Sequence, residues 1–300
     1  MYAVNGASIQ VSGKETLGIV GESGCGKSVT MMSVLGLVPV PPGEITGGRA
    51  FFKEKNLLEY SPAQLRKIRG KEIGFIFQDP MTSFNPVLTI GRQLIEPLQE
   101  HKGMSKKASY EKVVDMLDLV GIPNPRQRLR EYPHQFSGGM RQRAMIAMAL
   151  ICNPDLLIAD EPTTALDVTI QAQIVELVNG LKSKFDMSII WITHDLGVIA
   201  GMADRVAVMY GGMVVEEADV DLLYENPMHP YTRGLLESLP KEGSREALKA
   251  IRGAPMIIRE KPSACPFEHR CSFVKPVCRE LIPPLKGADS THKTACWLYE

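Results

Sequence analysis

The sequence predicts an α/β fold with a mostly parallel sheet, an inserted helical subdomain and a small Cys-rich C-terminal module. Three observations point there. Short apolar runs alternate with amphipathic helical stretches, the pattern of strands buried between helices. A block between about residues 85 and 153 keeps helical spacing throughout, for instance at Val113, Met116, Leu117 and Val120. After about Pro240 the alternation fades, prolines become frequent and four of the six cysteines appear. On this reading residues 1–240 form one domain around the helical subdomain, and residues 241–300 form the module.

The elements follow in order. Glu15 to Val20 reads as a strand, and Lys27 to Leu37 as the helix after it. Ile73 to Gln78 (IGFIFQ) is a short apolar run, read as a buried strand. Beyond the helical block, Leu156 to Asp160 (LLIAD) is a buried strand and Val168 to Phe185 an amphipathic helix. Ser188 to Thr193 and Arg205 to Tyr210 are two further strands.

Composition bounds the function. The 300 residues carry 34 Lys plus Arg against 34 Asp plus Glu, so no basic excess favours nucleic acid. The longest apolar run, Ala144 to Cys152, falls far short of the about 20 residues that span a bilayer. The opening MYAVNGAS lacks the basic and apolar regions of a signal peptide. The expectation is a cytosolic protein able to bind a membrane protein.

Gly21-Glu22-Ser23-Gly24-Cys25-Gly26-Lys27-Ser28 matches G-x-x-x-x-G-K-[ST] between a strand and a helix. Glycines allow a tight loop whose backbone N–H groups converge on phosphate oxygens. Lys27 adds a cation for the terminal phosphates and the Ser28 hydroxyl a ligand for Mg²⁺. The helix turns its positive end to the same anion. The α/β core is therefore expected to be a P-loop NTPase. Cys25 has a bland role as a small loop residue, but the helix dipole and Lys27 are expected to favour its thiolate.

Asp160 and Glu161 end an apolar strand, where Asp160 suits Mg²⁺ and Glu161 suits polarising a water. Alone that pattern is weak, because many buried strands end in an acid. His194 ends another strand, usually a structural place. In a parallel sheet the strand ends share one edge, which brings Gln78, Asp160, Glu161 and His194 to the phosphate loop. Ser137-Gly138-Gly139 opens a helix. Its bland reading is an N-cap with flexible glycines, and its functional reading is a second anion site.

In order and spacing these segments resemble the ABC-transporter ATPase family, from about Val4 to Glu217. Gly21 to Ser28 resembles its phosphate loop, Gln78 its Q-loop and Ser137-Gly138-Gly139 its signature. Leu156 to Glu161 resembles its Mg²⁺ strand with the catalytic Glu, Thr164-Ala165-Leu166-Asp167 its D-loop, and His194 its switch histidine. QDPMTSFNPVLTIG, FSGGMRQR and NPMHPYTRGLLESLP, with the cysteine-bearing tail, are similar to the dipeptide/oligopeptide importer branch, which includes some nickel carriers. Met140 stands where the wider family has Gln, and no residue is assigned to stack on adenine.

The resemblance implies ATP and Mg²⁺ as cofactors, Glu161, His194 and Gln78 as catalytic residues, and Ser28, Gln78 and Asp160 on the metal. It implies a second ATPase subunit, identical or sister, whose signature completes the ATP site. It also implies two membrane permease subunits, an extracytoplasmic solute-binding protein acting indirectly, and a peripheral place on the cytoplasmic face of the cell membrane. Nickel or another small solute is the alternative cargo. Two rival readings are a soluble non-transport ATPase and a non-catalytic regulator. The neutral charge and the absence of heptads between Gly21 and Ser137 oppose the first; the presence of Glu161 and His194 opposes the second.

Cys265, Cys271, Cys278 and Cys296 are separated by five, six and seventeen residues, with no C-x₂₋₄-C knuckle of a structural zinc site. Disulfides do not suit the cytosol. Four thiolates match the ligand count of a 4Fe–4S cluster, which some importer ATPases with a similar tail carry. The expectation is a 4Fe–4S cluster, with Zn²⁺ as runner-up and His269 and His292 as spare ligands. It is expected to lie away from the ATP site and take no part in hydrolysis.

Overall fold

The computed structural model describes residues 1–164, 166–239, 251–256, 258–287 and 291–300. Ala165 of the expected D-loop and the expected boundary at 240–241 lie outside the described residues. The chain forms two compact units. Unit one holds residues 1–11, 15–50 and 191–300, and unit two holds residues 12–14 and 51–190.

Among the described residues nine strands follow in chain order. They are β1 (Thr16–Val20), β2 (Phe51–Phe52), β3 (Lys55–Asn56), β4 (Ile73–Ile76), β5 (Leu156–Asp160), β6 (Ser188–Thr193), β7 (Arg205–Tyr210), β8 (Met213–Asp219) and β9 (His292–Thr294). β6 belongs to both units, because the division falls after Ile190.

In unit two the sheet runs β4-β5-β6, with β4 and β5 parallel. Leu157, Ile158 and Ala159 of β5 are buried on both faces, as a parallel strand between helices must be. The helices Ile90–Lys102, Lys106–Leu119 and Gly138–Leu150 occupy the block with helical spacing, capped by Thr89, Ser105 and Ser137. Val113, Met116, Leu117 and Val120 all point into its core.

In unit one the sheet runs β6-β1-β7-β8-β9. β1 and β7 are parallel, while β8 and β9 add antiparallel pairs at the edge. The helix after the phosphate loop, Lys27–Val34, is shorter than its apolar pattern predicts. Gly36 takes φ +59° there, and Leu37 folds back to donate to the Met32 carbonyl. β8 escaped the sequence reading, although Gly211-Gly212 supplies two positive φ values (56° and 76°) for a tight hairpin. β9 is only three residues long, too short for an alternating pattern to show. Among the described residues no helix is long and apolar enough to cross a membrane.

Candidate functional site

Unit one builds the phosphate loop. β1 is buried along its whole length, which fixes where Gly21 leaves the sheet. A Cβ on Gly21 would lie 2.3 Å from the Met209 carbonyl oxygen, so only glycine passes. Gly26, at φ +99°, caps the next helix, and a Cβ there would lie 2.2 Å from the Ala3 carbonyl oxygen. Ser23 and Gly24 form the exposed tip, and Ser28 is half-buried in the first helical turn. Lys27 is 4% exposed, and its Nζ donates to the carbonyl oxygens of Gly21 (2.7 Å) and Glu22 (3.1 Å). The ammonium thus lies folded within its own loop. A cradle closed to a Cβ at Gly21 and Gly26, with a buried cation held by its rim, fits a nucleotide phosphate.

Cys25 departs from expectation. Burial pushes its thiol pKa up, outweighing the opposing pull of Lys27. The side chain is 6% exposed and packs under the loop, so its environment favours the thiol over the thiolate. His194 is exposed, immediately after β6, and the next residue caps a short helix through the Asp195 carboxylate and the Gly197 N–H (2.8 Å).

Unit two brings the acids together with Gln78. Asp160 is the last residue of β5 and is 4% exposed. Glu161 turns out of the strand at φ +46°, in the left-handed region, and is 8% exposed. Its Oε2 accepts from Gln78 Nε2 (3.2 Å) and from Thr164 Oγ1 (2.9 Å). The Thr164 contact was not anticipated, although a hydroxyl three residues past a strand-end acid was a usable signal. Ser137 acts as the cap of its helix, accepting from the Met140 N–H (3.3 Å), and it and Gly138 are exposed. Phe136, 2% exposed, anchors that turn.

None of the tail cysteines is paired in a disulfide. Burial pushes Cys265 up to about 12, and the neighbouring thiols of Cys278, Cys296 and Cys271 push it the same way. Burial also raises Cys271 and Cys296. Yet among the described residues no three His, Cys, Asp or Glu side chains converge as a metal site would need. The Cys271 and Cys278 sulfurs accept N–H groups of Phe273 and Lys275 (both 3.4 Å). The described residues thus give no support of their own to a four-thiolate cluster or zinc. The spare ligands are also engaged: His292 Nε2 lies 2.7 Å from Glu216 Oε1, and His269 faces Glu268 at 3.3 Å.

One residue of the tail reaches the phosphate loop: Arg270 forms a bidentate pair with Glu22 inside it. No sequence pattern announces a pair separated by 248 residues.

Comparison with known proteins fits this geometry. A family described as ABC transporter matches residues 4–164, and one described as oligopeptide/dipeptide transporter, C-terminal region, matches residues 215–278. The chain belongs to the ABC transporter ATPase family. The dipeptide transport ATP-binding protein DppD of Bacillus subtilis is 54% identical over 301 residues, covering 100% of this chain and 90% of that one. The oligopeptide transport ATP-binding protein OppD of the same organism is 51% identical over 300 residues, covering 99% and 84%. A solved ATP-binding cassette, a dimer in a post-hydrolysis state with ADP and Pi, superposes with a TM-score of 0.65. It is 27% identical and covers 73% of this chain and 90% of that one. This ABC ATPase carries the P-loop α/β core of its family, with a mostly parallel sheet.

Proposed function

We propose that this chain is the ATP-hydrolysing subunit of an importer for dipeptides or oligopeptides, driving separate membrane permease subunits. The full-length likeness to peptide-transport ATP-binding proteins carries the choice of cargo. Nickel or another small solute is the alternative cargo, and uptake assays separate them. In this reading residues 1–240 are the ATPase domain, with the helical subdomain at about 85–153, and residues 241–300 the peptide-transporter module. The ABC transporter match at 4–164 lies within the first of these, and the C-terminal-region match at 215–278 runs across the boundary.

The residues divide the work. Backbone N–H groups from Gly21 to Ser28 and the Lys27 ammonium hold the phosphates. Ser28, Gln78 and Asp160 would hold Mg²⁺, which when bound would neutralise phosphate charge. Glu161 orients and polarises the attacking water, and His194 contacts the transferred phosphate. Ser137, Gly138 and Gly139 serve the nucleotide of a second ATPase subunit, identical or sister. The exposure of Ser137 and Gly138 supports this, since a capped helix start left open can meet another chain. Met81 and Val87, 60% and 75% exposed just beyond Gln78, supply an apolar surface for a permease helix. The subunit then works peripherally on the cytoplasmic face, and an extracytoplasmic solute-binding protein delivers the peptide.

For the tail, the resemblance alone supports a 4Fe–4S cluster at Cys265, Cys271, Cys278 and Cys296, and iron counting after anaerobic purification decides it. For the cargo, labelled dipeptide uptake is measured in cells lacking this gene. Wild-type chain restores uptake and Lys27→Ala does not. Restored nickel uptake with no effect on dipeptides would replace the peptide reading by its alternative.

A further inference from the structure

Glu22 is the second residue of the phosphate loop, and Arg270 immediately precedes Cys271 in the tail. The guanidinium grips the Glu22 carboxylate at two points, Nη1 to Oε2 at 2.5 Å and Nη2 to Oε1 at 3.0 Å. Its Nε donates to the Arg252 carbonyl oxygen at 2.8 Å. The Tyr210 and Phe267 rings flank it at 5.7 and 5.9 Å. The Arg270 side chain is 6% exposed. A planar fork with every nitrogen occupied and aromatic walls has little freedom to turn away.

Glu22 is also held by its backbone. Its N–H donates to the buried Tyr231 hydroxyl at 2.8 Å, and its carbonyl accepts from Lys27 at 3.1 Å. Two effects follow for an anion entering the loop. Gly21, Gly24 and Gly26 leave the backbone free to adopt many shapes, so fixing the residue between them lowers the entropy lost on binding. Glu22 also places a negative charge inside a loop built for phosphate, and the Arg270 cation cancels it.

We propose that Arg270 is a positioning residue for the phosphate loop: through Glu22 it holds the loop ready for nucleotide, so the Cys-rich tail sets the affinity for MgATP. This rests on the reading of Gly21 to Ser28 as the phosphate loop. Arg270 touches no reacting atom. Its loss therefore acts on binding more than on the chemical step.

The test uses the full chain assembled with its membrane subunits. ATP hydrolysis is followed against MgATP concentration for Arg270→Gln, Glu22→Gln and the double variant. Arg270→Gln leaves an unpaired carboxylate beside the phosphates and raises KM about tenfold, with kcat within about twofold. Glu22→Gln raises KM less. The double variant resembles Glu22→Gln, because the second change removes the carboxylate the first left exposed. Lys275→Ala breaks a tie inside the tail, Nζ to the Trp297 carbonyl oxygen at 2.7 Å, and leaves KM alone. An unchanged KM in Arg270→Gln, effects that multiply in the double variant, or an equal KM shift in Lys275→Ala each overturns the proposal. If Arg270→Gln does not fold, the contrast between Glu22→Gln and Lys275→Ala still decides it. Lys27→Ala keeps the two readings apart. Normal ATP binding by that variant removes the phosphate-loop reading itself, whereas its loss beside a normal Arg270→Gln removes only the positioning claim.

Discussion

Glu161 sits in a conformation that a non-glycine residue adopts at a cost of order 1–3 kcal/mol. The surroundings maintain it through the bonds from Gln78 and Thr164 and through burial at 8% exposure. Such a position suits a carboxylate that must face one point without rotating. Glu161→Gln keeps the volume and one acceptor oxygen but cannot take up a proton. In the assembled complex it should still bind MgATP, with turnover at least about 10²-fold slower. Steady-state hydrolysis and equilibrium nucleotide binding, measured on one preparation, check both halves. Near-normal turnover would remove Glu161 from the role. The resemblance singled out Glu161 in sequence, but its left-handed backbone and the Thr164 bond became visible only in the fold.

At the scale of elements, one helix start carries a pH dependence. His229 caps the helix Pro230–Glu237, its Nδ1 accepting from the Tyr231 N–H at 3.0 Å. Its own N–H and that of Met228 donate to the buried Glu216 of β8, which also meets His292 of β9. Burial pulls the His229 pKa down from 6.5 to about 3. The unfolded chain therefore binds the proton first as pH falls. The stability His229 secures is complete above about 6.5 and drains away as pH drops toward about 3. Between pH 7 and pH 5 the loss is about 2 kcal/mol for this group. Denaturant unfolding at both values should show it in the wild type and a smaller change in His229→Asn, whose side chain can still cap. Equal pH dependence in the two would assign the effect elsewhere.

Elements with strong local patterns were legible in the sequence. Val168–Phe185, Ser188–Thr193 and Arg205–Tyr210 have the same bounds in the structure as in their apolar patterns. The hairpin of β2 and β3 was not legible, because its turn places Lys53 and Glu54 at positive φ (48° and 66°) where Gly or Asn is expected. The cysteines suggested a metal site by count, but count says nothing about whether sulfurs converge. Arg270 was invisible for a similar reason, since its partner is distant in the chain and only folding brings the two together.

For the whole molecule, the ATPase motifs are distributed over both compact units, with Gly21–Ser28 and His194 in one and Gln78, Ser137, Asp160 and Glu161 in the other. An ABC transporter ATPase works with membrane permease partners; among the described residues no helix is long and apolar enough to cross a membrane. In the proposed function, hydrolysis is coupled to peptide movement through separate subunits. The most direct measurement is ATP hydrolysis by the chain reconstituted in vesicles with its permease subunits, with and without a dipeptide-loaded binding protein. The rate should rise several-fold with the loaded binding protein and be nearly abolished by Glu161→Gln. A full rate from the chain alone, indifferent to permease subunits and peptide, would contradict it.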